Sequence, residues 1–128
     1  MKIVVVDDEE DVQSLFKQKF RKEIRAGIVE FHFANSAEAA LEYAENQGVG
    51  DISLIISDIN MPGMDGLELL KIIKDKYQHF KVFMMTAYSD EQRQEAAKLY
   101  QADDYLTKPV DFEQLKSKIF DLEASQSI

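Results

Sequence analysis

Three acids, a threonine and a lysine stand at the ends of short apolar runs. Asp58 closes Ile52-Ser53-Leu54-Ile55-Ile56-Ser57, and Asp7-Asp8 close Ile3-Val4-Val5-Val6. Thr86-Ala87 close Val82-Phe83-Met84-Met85, and Lys108-Pro109 close Tyr105-Leu106-Thr107. If these runs are parallel strands of one sheet, their carboxyl ends lie together. Three carboxylates, one hydroxyl and one ammonium then share a crevice. Carboxylates forced that close repel one another, and folding tolerates them cheaply only with a cation among them. An all-oxygen set without His or Cys favours Mg²⁺, or Mn²⁺, over zinc. Metal, ammonium and hydroxyl together stabilise the equatorial oxygens of a phosphoryl group in transfer. A carboxylate oxygen can accept that group, and Asp58 on the central run is best placed to do so.

The elements that must position these residues follow from periodicity. Residues 2–7 are β-branched and bounded by acids, which predicts a buried strand. Over 11–25, Val12, Leu15, Phe16, Phe20 and Ile24 recur at helical spacing, and Gly27 punctuates the segment. Val29-Glu30-Phe31-His32-Phe33 alternates with period two, as a strand does. Ser36 predicts an N-cap for a helix through Gln47, with Ala37, Ala40, Leu41 and Ala44 inward. The central strand is 52–57. After a loop comes a helix with Leu69, Leu70 and Ile73 on one face, flanked by Leu67 and Ile72. A strand at 82–85 follows. A fourth helix near 90–100 has Ser89 and Gln92 as a capping box but few large apolar residues, so it docks weakly and moves easily. Asp111 with Gln114 repeats the box, with Val110 and Leu115 as a hydrophobic staple. Leu115, Ile119 and Leu122 give the last helix its stripe.

Five strands alternating with five helices predict a parallel sheet covered on both faces, with right-handed crossovers. Such sheets place their working site outside the carboxyl ends of the strands, at a switch in strand order. The chain's 128 residues, 45% hydrophobic, suffice for one core. One domain is expected over 1–123, with 124–128 as a frayed tail or the start of a linker. No apolar stretch approaches a membrane span, and Lys2 precedes only four apolar residues before acids, unlike a signal peptide. The absence of cysteine excludes disulfides and thiolate metal sites, and a cytoplasmic location fits. With 24 acids against 15 bases, the net charge is −9. A surface this acidic argues against direct nucleic-acid binding, although a local basic patch can exist.

Four segments in order resemble a known family, the receiver domain of two-component response regulators. They are Val5-Val6-Asp7-Asp8-Glu9, Ser57 to Gly66 (Ser-Asp-Ile-Asn-Met-Pro-Gly-Met-Asp-Gly), Met85-Thr86-Ala87, and Asp103-Asp104-Tyr105-Leu106-Thr107-Lys108-Pro109. The resemblance covers about residues 2–122. It implies the flavodoxin-like fold of the chemotaxis regulators, with strand order 2-1-3-4-5. It implies that Asp58 accepts phosphate from the phosphohistidine of a sensor kinase or phosphotransfer protein. It implies Mg²⁺ ligation by Asp8 and Asp58, by the Asn60 carbonyl, and by Asp7 through water. Thr86 and Lys108 would bind the phosphoryl group, and Ala87 would leave room for it. The Lys108–Pro109 bond would be cis. Thr86 would move toward phosphate and Tyr105 would change rotamer. The face of the fourth helix, fifth strand and last helix would then repack for a partner or output domain, with dimerisation open.

The chain departs from that pattern in places. Many receivers have Gly where Gln101 stands, as a left-handed helix cap. Either Gln101 is strained, or the fourth helix ends differently. Tyr88 and Asn60 flank the path of an attacking water and are expected to tune dephosphorylation. The last helix lacks the arginine-rich stretch of many DNA-binding regulators. His32 and His79 read as surface or strand-edge residues. A calcium loop from Asp58 fails, because Pro62 and Leu69 fill positions that need oxygen ligands. An alternative is a Mg²⁺-dependent phosphohydrolase with an aspartyl-phosphate intermediate. Such enzymes usually place an acidic Asp where Asn60 stands, and carry a cap for which there is no room. A receiver fold used only for docking, without phosphorylation, is disfavoured by the complete set of site residues.

Overall fold

The computed structural model describes residues 1–47, 51–77, 80–87, 95, 96, 98 and 100–126. In chain order they form β1 (Lys2–Val6), α1 (Glu10–Lys19), α2 (Arg21–Arg25), β2 (Glu30–Ala34), α3 (Ala37–Gln47), β3 (Leu54–Asp58), α4 (Gly66–Lys76), β4 (Val82–Ala87), β5 (Asp104–Lys108) and α5 (Phe112–Gln126). The strands are all parallel, in the order β2-β1-β3-β4-β5. Both strand order and double winding are therefore as expected.

Alternation along the strands decides which helices cover which face. Ile3, Val5, Leu54, Ile56, Phe83 and Met85 pack with Phe16 and Phe20 from the α1–α2 segment and with Leu115 and Ile119 of α5. Val4, Val6, Ile55, Val82 and Met84 pack with Ala40 and Ala44 of α3 and with Leu69, Leu70 and Ile73 of α4. Strands buried on both faces need unbroken apolar runs, which these sequences supply. The small alanines of α3 let that helix lie close to the sheet.

Two details differ from the periodic reading. The helix expected over 11–25 is interrupted at Phe20, whose φ/ψ of −101°/16° leaves the helical region. The hydrogen bonds Phe20 N–H to Phe16 O (3.0 Å) and Ile24 N–H to Phe20 O (2.9 Å) still run through the break. Of the five apolar residues at helical spacing, Phe16 and Phe20 are fully buried, but Leu15 is 43% exposed and Ile24 38%. The cause is bulk. Phe16 and Phe20 meet Phe31 of β2 and Phe112 of α5 in an edge-to-face cluster, with centroids 5.0 to 6.3 Å apart. These rings occupy the interface, so the flanking aliphatic side chains stay at its rim.

The caps behave as their chemistry dictates. Ser36 Oγ accepts from Ala39 N–H at 3.0 Å, and Asp111 Oδ1 from Gln114 N–H at 3.1 Å. Asp65 caps α4 by accepting from Glu68 N–H at 3.0 Å, which the sequence reading did not assign. The Ser89–Gln92 box, most of the helix near 90–100, and His79 lie outside the described residues.

Gln101 takes the strained option. Its φ is +70°, and its N–H bonds to Lys98 O at 3.0 Å, so a left-handed cap is built from a residue with a Cβ. That conformation costs a non-glycine residue about 1 kcal/mol. Gln101→Gly is therefore expected to raise stability by about 0.5–1 kcal/mol in urea unfolding. A loss would show that the side chain contributes a contact outweighing the strain.

Candidate functional site

The crevice is built where strands stop. Asp58 is the last residue of β3, opposite Met85 of β4. Thr86 lies within β4, opposite Thr107, and Ala87 is opposite Lys108, the last residue of β5. β4 thus extends two residues beyond the run read from sequence. Asp7 and Asp8 follow β1 directly. Asp7 donates its N–H to Ala34 O at 3.0 Å, and its Oδ1 accepts from Glu9 N–H at 2.9 Å, which fixes the carboxylate at the start of α1.

Three of the polar groups are removed from water. Asp7 and Thr86 are fully buried and Asp58 is 4% exposed, whereas Asp8 is exposed. Lys108 reaches across the sheet, placing Nζ 3.0 Å from Asp58 Oδ2 and 3.1 Å from Asp7 Oδ2. Asn60 N–H donates to Asp58 Oδ1 at 3.1 Å, while the Asn60 side chain is exposed. The Lys108–Pro109 bond is cis, as the resemblance implied.

Burial is the largest influence on Asp58 and pushes its carboxyl above the ordinary carboxylate range, although Lys108 pulls it down. Burial acts to lower Lys108, but its hydrogen bonds to Asp58 and Asp7 outweigh that and hold the ammonium above its usual value. The two directions agree physically. One cation faces two buried carboxylates, so the cation is over-compensated and the acids are under-compensated.

That deficit is what a divalent cation would fill. One carboxylate oxygen from each of Asp7, Asp8 and Asp58 lies within 4.8 Å of the others. Ligands of a single octahedral Mg²⁺ stand about 3 to 4.2 Å apart, so a cluster this tight can serve one ion, with some acids bound directly and another through a water. The donor set therefore fits Mg²⁺.

The support beneath Asp58 was less legible. Ser57 Oγ donates to Asp58 O at 3.0 Å. Gly66 opens α4 against the same backbone, donating its N–H to Ile59 O at 2.8 Å. A Cβ on Gly66 would fall on the Asp58 carbonyl oxygen. Gly66 was read only as part of a motif, although a glycine at a predicted helix start near an acid-ended strand is the available signal. Asp103 was also read only as motif. Its Oδ2 accepts from Lys74 Nζ (2.7 Å) and Val82 N–H (2.8 Å), pinning the start of β4 to α4.

Tyr105 is half-buried, opposite Met84, against the α3–α4 side of the core. Burial, the largest influence, pushes its phenol above the usual value, and neighbouring acids add to the shift. Tyr88 lies outside the described residues, as does its expected role. Beside Lys108 and Pro109 opens a hollow of about 580 Å³, lined by Val12, Leu15, Phe16 and Phe112. No described helix is long and apolar enough to cross a membrane.

The fold and site define a doubly wound α/β protein with a buried acid, a buried hydroxyl and a lysine gathered at the carboxyl end of its sheet. Residues 3–120 match the response regulator receiver domain, and the chain belongs to that family. It is 39% identical over 108 residues to response regulator protein FleR of Pseudomonas aeruginosa, covering 84% of this chain and 21% of FleR. It is 30% identical over 118 residues to sporulation initiation phosphotransferase F of Bacillus subtilis, covering 92% and 90% of the two chains. The chain spans less than half the length of relatives such as FleR and the heme response regulator HssR of Staphylococcus epidermidis. A receiver domain from Clostridium thermocellum superposes with a TM-score of 0.86 at 26% identity, covering 98% and 96%.

Proposed function

We propose that this receiver domain is a phosphorylation-activated switch in a two-component phosphorelay, with Asp58 as phosphoacceptor. The observation that carries the reading is the nearly buried Asp58, 3.0 Å from Lys108 and grouped with Asp7 and Asp8. The phosphodonor is a phosphohistidine of a sensor kinase or phosphotransfer protein, and the apolar hollow beside Lys108 suits its approach. Asp8, Asp58 and the Asn60 carbonyl, with Asp7 through water, would hold Mg²⁺ or Mn²⁺, which would supply positive charge to offset that of the phosphoryl oxygens.

The chain's own groups do the rest. An Asp58 oxygen forms the new P–O bond as the donor P–N bond breaks, and the released electron pair stays on the donor imidazole. Lys108 transfers its hydrogen bond from the carboxylate to a phosphoryl oxygen. The Thr86 hydroxyl donates to a second, and Ala87 leaves space for the group. Burial of Asp58 keeps water from competing at the carboxylate. Movement of Thr86 then opens space for Tyr105, which repacks the face of β5, α5 and the helix near 90–100. Tyr88 and Asn60 set the hydrolysis rate of the acyl phosphate. The domain is regulatory, works in the cytoplasm, and does not itself bind nucleic acid.

Acetyl phosphate with Mg²⁺ is expected to give a hydroxylamine-labile mass adduct on the wild-type chain. Asp58→Asn is expected to give none, and chelation of the metal to suppress it. An equal adduct on Asp58→Asn would overturn the assignment.

A further inference from the structure

Residues 17–25 reverse the chain's charge. They hold five of its 15 bases (Lys17, Lys19, Arg21, Lys22 and Arg25) against one acid, Glu23, in a chain of net charge −9. That acid is turned away: its Oε2 lies 3.3 Å from Lys116 Nζ, on α5. Elsewhere Lys74, Lys108, Lys116 and Lys118 each hold an acid. Among the described residues, Lys17, Arg21 and Arg25 form no ion pair.

Lys17 lies on α1 and Arg21 and Arg25 on α2, and all three line one groove. The groove, of about 710 Å³, is lined also by Ile24, Phe31, Phe33 and a single acid, Glu30, so three bases face one carboxylate there. Lys17 Nζ stands 5.3 Å from the Phe33 ring centroid. Ile24 is 38% exposed beside them. The groove runs along β2, which is an outer strand of the sheet. Glu30 N–H bonds inward to Met1 O at 2.8 Å, and Ala34 O accepts from Asp7 at 3.0 Å. Alternation therefore turns the backbone groups of Phe31 and Phe33 to the open edge.

We propose that the groove between the α1–α2 segment and the edge of β2 docks an extended acidic segment of a partner protein that carries an apolar side chain. Charge complementarity selects the occupant. Guanidinium forks at Arg21 and Arg25 bind carboxylates in pairs. The aromatic floor takes the apolar side chain, and the edge amides of Phe31 and Phe33 pair with its backbone, as in strand addition. A concave floor suits a side chain better than a flat lipid surface. The Arg21–Arg25 end of the groove adjoins the start of β2, whereas Lys17 and Phe33 also border a hollow that contains Asp8.

The test uses the full chain and a fluorescein-labelled peptide of sequence Glu-Asp-Leu-Glu-Phe-Asp-Glu, followed by anisotropy at low salt. Binding is expected, weakening with salt, and at least tenfold weaker on Arg21→Glu/Arg25→Glu. A peptide with serine for both apolar residues is expected to bind at least tenfold more weakly than the original. Acetyl phosphate labelling of the variant should match wild type, which shows that its fold is intact. The proposal is overturned by no binding, by equal binding to the charge-reversed variant or of the serine peptide, or by preference for phosphatidylglycerol vesicles over the peptide.

Discussion

Gly66→Ala is expected to cost about 3 kcal/mol or more in urea unfolding, and to cut acetyl phosphate labelling of the folded remainder. The added Cβ would fall on the carbonyl oxygen of Asp58 and within 2.8 Å of both the Asp58 carbonyl carbon and the Ile59 Cα. All three are backbone atoms, so no flexible side chain can yield. The Gly66 N–H bond to Ile59 O at 2.8 Å draws the same segments together. Relief requires either α4 to lift from the sheet, uncovering Leu69, Leu70 and Ile73, or the end of β3 to shift with Asp58. Core exposure of that kind places the change among the severe substitutions. Gly63→Ala is the control. Gly63 has φ +77°, but its Cβ would meet only Glu38 Oε1, at 3.5 Å. It should cost about 1 kcal/mol of backbone strain. Equal costs at the two positions would show that the close approach at Gly66 is not what constrains the site.

Lys108→Met is expected to lower metal-free stability near neutral pH by about 2–3 kcal/mol. Removing one partner of a buried ion pair leaves uncompensated charge, at about 3–5 kcal/mol when burial is complete. Lys108 is 25% exposed, which reduces the figure, but it serves two buried acids. The pH dependence follows from the directions of the shifts. Lys108 titrates above its ordinary value, so its contribution is complete below about 10.5 and is lost as pH rises through the folded value. Asp58 also titrates above its ordinary value of 3.8, so the folded state holds the proton more tightly. Stability therefore falls as pH rises from 3.8 through the folded value. Without Lys108 that fall should deepen and extend to higher pH. Unfolding from pH 4 to 9 in chelator should show it, and Mg²⁺ should narrow the deficit. Adding Asp58→Asn to Lys108→Met should recover much of the loss. A Lys108→Met protein as stable as wild type at pH 7 would mean that the two carboxylates are not under-compensated.

Much of this was legible from residues whose environment is dictated by a strong period. The apolar strands could only be buried on both faces, and their alternation with amphipathic stretches left few topologies. The acids at strand ends converge because parallel strands end together. Less legible was anything set by volume. Leu15 and Ile24 satisfy the helical period, yet Phe16 and Phe20 fill the interface and displace them. The end of β3 was placed one residue short, because Asp58 is polar and pattern alone excludes it from a strand that in fact contains it. Gly66 and Asp103 act through backbone approach and long-range hydrogen bonds, which leave no periodic trace. At Gln101 the local rule held, and the chain adopts the left-handed cap without the residue that suits it.

Lys108 lies 50 positions from Asp58 and 101 from Asp7 along the chain. The three acids and Thr86 are thus made before the lysine, which arrives only with the final strand. A chain ending before β5 holds these acids without the lysine that faces Asp7 and Asp58. Under the proposed function, acceptance of phosphate therefore requires that the chain has been made and closed through β5.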